Sequence, residues 1–295
     1  MTTLGVLRRM VPAPTMNDIT FAQRGFPVKP NPLSRRIERV PRAVLEGFQY
    51  GADHTDLEEI ARRLDWIDPE YRSLAYEGAI GALILRDLLA GSRSHRAEEF
   101  VRGVAAPHAM LAYIGCGLVL ARLPRALWSR AIPRFDSDPL LPLLRWSAID
   151  GYGFDKAYFD PKRWVFAHAV PKPYPFDGAR DYFLPAFDQG VGRALWFIFG
   201  GDIAPIPGVI EGFPVRRRAD LWSGIGAAAT YVGGPSRADL HKLMTASGGY
   251  RADMAIGSVS AIKARHHAGF VPQATHFAAE LICGASVQEA VVLAD

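Results

Sequence analysis

A kernel of two glycines, set one or two residues apart among apolar neighbours, recurs along most of this chain and limits its fold more than any other feature. It reads Ile149-Asp150-Gly151-Tyr152-Gly153-Phe154-Asp155 at its clearest. It returns as Glu77-Gly78-Ala79-Ile80-Gly81, Ile114-Gly115-Cys116-Gly117, Gln189-Gly190-Val191-Gly192, Ser223-Gly224-Ile225-Gly226 and, weakened, Ala255-Ile256-Gly257-Ser258. The second glycines, Gly81, Gly117, Gly153, Gly192 and Gly226, follow one another at intervals of 36, 36, 39 and 34 residues. A period in that range marks supersecondary units that bury a continuous core by stacking on their neighbours. The expected fold is therefore all-α, with tandem helical hairpins of about 36 residues forming an α-solenoid or a closed α/α array.

A glycine inside a helix costs about 1 kcal/mol relative to alanine, so its return at each kernel needs a compensating gain. Close approach of a neighbouring helix backbone supplies one. A phosphate-binding glycine loop would instead need a strand before the glycines and a helix N-terminus after them. Here helical patterns lie on both sides. Leu57, Ile60, Ala61 and Leu64 fall at helical spacing, and Asp68-Pro69-Glu70 supplies an N-cap, a proline at the first position and an acid in the first turn. Tyr76, Ile80, Leu83, Ile84 and Leu88 continue the pattern to Gly91, which is placed to close the helix. Further helices are expected at Arg163–Val170, Tyr182–Phe199, Asp220–Val232, Ala252–His267 and about His276–Leu293.

Residues 1–55 differ in character, being rich in proline and arginine, and the run Phe26-Pro27-Val28-Lys29-Pro30-Asn31-Pro32 removes backbone donors. They are expected to form a leader packed on the body, with one short helix at Arg42–Tyr50. Residues 56–295 contain no long polar loop and are expected to form a single helical-repeat domain.

Charge and cysteine usage narrow the functional classes. Lys and Arg exceed Asp and Glu by 34 to 30, a net charge of +4, and apart from Arg216-Arg217-Arg218 the bases are scattered, which argues against nucleic-acid binding. Cys116 and Cys283 lack any CxxC spacing and read as buried filler in a reducing, cytoplasmic setting. No stretch reaches the ~20 apolar residues of a membrane span, and no signal-peptide core follows Arg8-Arg9.

Reactive motifs are scarce. HExxH, GxSxG and Walker sequences are absent, and the adjacent His266-His267 diverge on a helix, so no metal ligand set is expected. The residue before the first kernel glycine is Glu77, Ile114, Asp150, Gln189 and Ser223 in successive units. In a stacked array these positions form a row, and Glu77, Asp150 and Gln189, with Asp188 alongside, would line one groove; alternatively they satisfy backbone groups or pair with bases such as Arg193. Asp150, Asp155 and Asp160 step by five residues, which turns their side chains to different sides of an ideal helix. Asp155 would join Asp150 only if the helix broke after Gly153, and Asp136-Ser137-Asp138 offers another acidic pair. Around the central acids the aromatic density is high, from Trp146, Tyr152, Phe154 and Tyr158 to Phe187, Trp196 and Phe199. Such rings either fill a core or line an apolar cavity in which a buried carboxyl serves as a general acid and the ring faces stabilise cationic charge.

The segments Phe21-Ala22-Gln23-Arg24-Gly25-Phe26, Ala75-Tyr76-Glu77-Gly78-Ala79, Ala148 to Asp155, Asp188 to Trp196 and Arg218 to Gly226 resemble an uncharacterised bacterial family encoded in enediyne-antibiotic and other actinobacterial gene clusters. The resemblance implies a role in natural-product biosynthesis and brings no catalytic residues. The expected activity is cyclisation or isomerisation of a long apolar polyene or isoprenoid chain. Asp150, Asp188, Glu77 and Asp155 are the candidate acids and bases, and Tyr152, Phe154, Gln189, Arg193, Trp196, Trp222 and Tyr76 the candidate substrate contacts. No cofactor is required on this reading. The alternatives are a non-catalytic helical-repeat module that binds a polyketide synthase, a carrier protein or a reactive intermediate, and a Mg²⁺-dependent prenyl diphosphate cyclase using Asp150 and Asp155 with Arg193 or Lys263 as a phosphate partner.

Overall fold

A computed structural model describes residues 14–91, 94–135, 141–176 and 179–294, the side chains of 141–143 excepted. The described residues are helical, with no strand among them, and no single helix there is long and apolar enough to cross a membrane. The acidic pair at Asp136 and Asp138 lies outside the described residues. By contacts the chain divides into two compact units, residues 1–23 with 39–152, and residues 24–38 with 153–295.

The longer helices are α1 (Pro32–Asp53), α2 (Leu57–Asp65), α3 (Pro69–Ala90), α4 (Arg96–Arg102), α5 (Ala112–Leu120), α6 (Ser147–Phe159), α7 (Phe183–Ile198), α8 (Ile206–Gly212), α9 (Val215–Val232), α10 (Arg237–Ala246), α11 (Arg251–His267), α12 (Gln273–Ala278) and α13 (Val287–Leu293). The N-terminal signal at Asp68 operates as expected, its carboxylate accepting from the Glu70 N–H at 3.0 Å, and Gly91 ends α3 at φ +90°. Three expectations change. The short helix at 42–50 is part of the 22-residue α1, because Pro32 stands at its first position, where no N–H is needed. Asn31 and Ser34 also satisfy each other's N–H groups there, at 2.8 and 2.9 Å. The helix expected at 163–170 is only a π-turn, Lys162–Phe166. The last helix is broken at Gly284, which adopts φ +64° between a π-turn and α13.

In the first unit a methyl group added at Gly47 would overlap the Ala75 carbonyl, and one at Gly78 the Val44 carbonyl, so α1 and α3 touch backbone to backbone. Gly117 lies in the same way on the Ala148 carbonyl, and Gly151 on the Ile114 carbonyl, joining α5 to α6. Between α3 and α5 it is Gly115 that meets the Glu77 carbonyl. Beside these crossings Ala52, Ala82, Leu85 and Val119 form a buried apolar cluster.

The second unit uses the same contact. Gly153 of α6 meets the Phe187 carbonyl of α7; Gly192 and Gly224 meet the Leu221 and Gln189 carbonyls between α7 and α9; Gly226 and Gly257 meet the Met254 and Ser223 carbonyls between α9 and α11. At four crossings, α1–α3, α5–α6, α7–α9 and α9–α11, each glycine rests on the carbonyl three residues before its partner glycine. A Cα–H aimed at a carbonyl oxygen is a weak hydrogen bond of about 0.5–1 kcal/mol, which offsets much of the glycine cost. The kernels thus mark where helices meet without intervening side chains.

Arginines finish the helix ends. Arg86 donates to the Gly51 carbonyl at 2.9 Å and to His54 O at the end of α1. Arg265, 1% exposed, donates twice to Tyr231 O at 2.6 and 3.0 Å at the end of α9. Cations there satisfy carbonyls that the helix leaves open and complement its dipole, so these two arginines serve the fold.

Candidate functional site

The buried charges of the second unit centre on Asp188 in α7 and Arg217 in the first turn of α9, both 1% exposed. Arg217 Nε donates to Asp188 Oδ2 at 2.8 Å and Nη2 to Oδ1 at 2.6 Å, a bidentate fork, while Nη1 donates to the His168 carbonyl at 2.8 Å. Three elements are therefore tied by one guanidinium. Local sequence places it there: Pro214 starts α9, and Arg218 closes α8 by donating to the Phe213 and Glu211 carbonyls at 2.8 and 2.6 Å. Arg217 then stacks over the Phe213 ring, 4.8 Å from its centroid.

His168 follows the π-turn and holds φ +51°, the only positive φ at a non-glycine among the described residues. Such a backbone costs about 1–2 kcal/mol for an ordinary L-residue, and the Arg217 hydrogen bond together with the ring contact to Phe213, 4.3 Å between centroids, holds it. π-turns and strained residues gather at functional sites. Burial, then the Arg217 charge, lowers the His168 pKa below its usual 6.5, so the half-buried imidazole is neutral at physiological pH.

Burial raises Asp188 to about 6 and the nearby Asp220 carboxylate adds to the rise, against the lowering effect of Arg217. Asp220, half-buried in α9, is itself raised by burial and by Asp253, against a hydrogen bond from Gln189. Gln189 Nε2 also donates to the Tyr182 hydroxyl at 3.3 Å. Asp188 is locked by its fork, whereas His168, Asp220, Gln189 and the exposed Tyr182 retain access to solvent. The arrangement offers a neutral imidazole and a carboxyl that protonates more readily than usual, the carboxyl held by the Gln189 amide. The first can accept a proton and the second can release one.

The expected site residues are therefore only partly assembled. Asp188 and Gln189 belong to this cluster. Phe154 packs between Tyr158 and Phe197, at 5.6 and 5.1 Å, with the Arg193 guanidinium 5.1 Å over its face. Trp196 and Trp222 are core residues, 0% and 2% exposed, and the Trp196 Nε1 donor has no hydrogen-bond partner among the described residues. Asp155 is 3% exposed. In the first unit Glu77 is 5% exposed and Asp150 half-buried, and the Tyr152 ring meets Trp128 edge-on at 4.9 Å. There Tyr76 donates to Asp65 at 3.1 Å and stacks on His108 at 4.0 Å, while His108 Nδ1 lies 2.9 Å from Ser73 Oγ. The rings around the central acids thus pack against one another. No group of three or more His, Cys, Asp or Glu among the described residues is placed to hold a metal ion.

Sequence reasoning missed Arg217, His168 and Asp220 as a set. Arg216-Arg217-Arg218 precede the helix expected at Asp220–Val232; the structure starts α9 at Val215, so Arg217 stands in a first turn whose dipole disfavours cations, and Asp188 compensates its charge. Nothing in the sequence marked His168.

No curated protein and no solved structure matches the chain. A family model described as a protein of unknown function, DUF1702, matches residues 3–295, and the chain belongs to that family.

Proposed function

We propose that the chain is an enzyme that moves protons on a long apolar polyene or isoprenoid substrate, a cyclase or isomerase of natural-product biosynthesis, with His168 as base and Asp220 as acid. The observation that carries this reading is the Arg217 guanidinium, which joins the Asp188 carboxylate to His168, the one strained non-glycine backbone among the described residues, while Asp220 lies near enough to Asp188 to raise its pKa. Groups of perturbed pKa supply acid and base from one fold at one pH. Asp188 serves as a positioning residue: it fixes Arg217, and Arg217 fixes His168. The natural-product role rests on the resemblance to a family of enediyne and actinobacterial clusters, and the apolar substrate class on the aromatic density of the sequence around the central acids.

The test is incubation of the protein with linear polyenes and polyprenyl diphosphates, with and without Mg²⁺, followed by mass spectrometry of products. A product of unchanged mass and new retention, lost in Asp220→Asn and His168→Ala while both variants remain folded, is the expected result. A product formed equally by both variants refutes the assignment, and a product that requires both Mg²⁺ and a diphosphate substrate favours the prenyl diphosphate route.

A second reading, a tandem helical stack acting as a binding module for a synthase or carrier protein, is supported by the backbone-on-backbone crossings, which leave no room for a ligand between paired helices. Retention of a substrate without conversion distinguishes it.

A further inference from the structure

Around His168 the surface of the second unit is apolar and basic together. Phe166, Val170 and Val215 are 53%, 56% and 68% exposed. They belong to one neighbourhood, because His168 contacts Phe213 and bonds to Arg217, and each of the three lies two residues from one of those positions. Phe166 ends the π-turn and Val215 begins α9. Neither position demands an apolar residue for the fold.

The charges beside them are one-sided. With Arg217 neutralised by Asp188, residues 160–172 and 211–218 contribute five bases, Lys162, Arg163, Lys172, Arg216 and Arg218, against two acids, Asp160 and Glu211. Lys162, Arg163 and Arg216 are exposed and make no salt bridge among the described residues; Arg163 lies over the Trp164 ring at 4.7 Å instead. Protruding apolar side chains with exposed bases close by in the same segments suit an anionic lipid surface: the apolar groups enter the headgroup boundary and the bases meet phosphate. An acidic protein would match the charge but leave the protruding side chains without the pockets that such anchors need.

We propose that this face docks reversibly on anionic phospholipid membranes, through Phe166, Val170 and Val215 with Lys162 and Arg216 beside them. The inference stands apart from the acid–base reading, since it concerns surface side chains and no reacting group. Attraction of about fivefold per base near such a surface, added to burial of the apolar groups, makes binding both lipid-specific and salt-sensitive.

The experiment is co-sedimentation of the full chain with phosphatidylcholine vesicles, with and without phosphatidylglycerol, at low and raised salt. The expected result is pelleting only with phosphatidylglycerol, weakened by salt. Lys162→Glu with Arg216→Glu should reduce it by about 25-fold or more at the per-base scale, and Phe166→Ser with Val215→Ser by about tenfold or more. All four side chains are exposed, and melting curves confirm that the variants fold; Val215→Ser alone serves if the pair does not. Equal pelleting without phosphatidylglycerol, or binding unchanged in both variants, overturns the proposal. So does a self-associated form in sedimentation analysis that Phe166→Ser dissolves, because the face would then be covered by a second copy.

Discussion

The glycine crossings and the Arg217 neighbourhood solve the same problem, holding helices together in a buried setting, by opposite means. At the crossings side chains are removed until backbone meets backbone, and the contact is weak, short-range and repeated in both units. At Arg217 one long side chain spans three elements and replaces water with a carboxylate and a carbonyl. The first device is indifferent to pH and depends on volume. The second depends on charge, and its failure leaves an ion stranded in the interior.

The comparison is tested hardest at Arg217. Arg217→Met should cost about 3–5 kcal/mol in chemical denaturation, since Asp188 is left buried and unpaired. Arg217→Met combined with Asp188→Leu should recover much of that loss. A single variant costing under about 1 kcal/mol would show that the fork is dispensable. Gly192→Ala should come next, losing about 1–3 kcal/mol by overpacking against the Leu221 carbonyl. Backbone gives way less readily than side chains, so an unchanged stability there would break the backbone-contact account.

Charge and volume also separate by pH. Asp188 has a folded pKa of about 6 against an ordinary 3.8, so the folded chain binds its proton first as pH falls. The penalty of the ionised form is present in full above about 6. This group's contribution to stability therefore improves as pH falls through 6 towards 4, the reverse of a carboxylate with a depressed pKa. Wild type should gain relative to Asp188→Asn across that window, measured by denaturation at each pH; no difference between the two would assign the proton elsewhere.

What was legible in the sequence follows the same division. The crossings could be read because glycine in a helix is costly and its period is visible, so Gly117, Gly153, Gly192 and Gly226 announced contacts that the structure contains. Asp68 and Gly91 were legible for a similar local reason. Asp188 and Gln189 were noticed through their place beside a kernel, yet their partners lie 29 and 31 residues onward (217−188, 220−189), and no local rule links them. His168 was misread as mid-helix, because the π-turn and the left-handed backbone depend on a hydrogen bond from a distant arginine. The aromatic residues were ambiguous in principle: ring density alone does not say whether rings enclose a space or fill it, and Phe154, Tyr158 and Phe197 fill it.

The smallest expected effect sharpens the volume half of the comparison most. Gly208, in α8, has nothing within 4 Å of the position a methyl group would take, and it is exposed. If helix glycines here are kept for contact, this one is free to change, and Gly208→Ala should stabilise by about 0.5 kcal/mol through the reduced entropy of the unfolded chain. The same substitution then has opposite signs at positions 192 and 208, in the same unit and both within helices. A loss at Gly208 would mean that glycine serves these helices in some way other than close approach. A gain, measured beside the loss at Gly192, leaves the neighbouring carbonyl as the difference between the two sites.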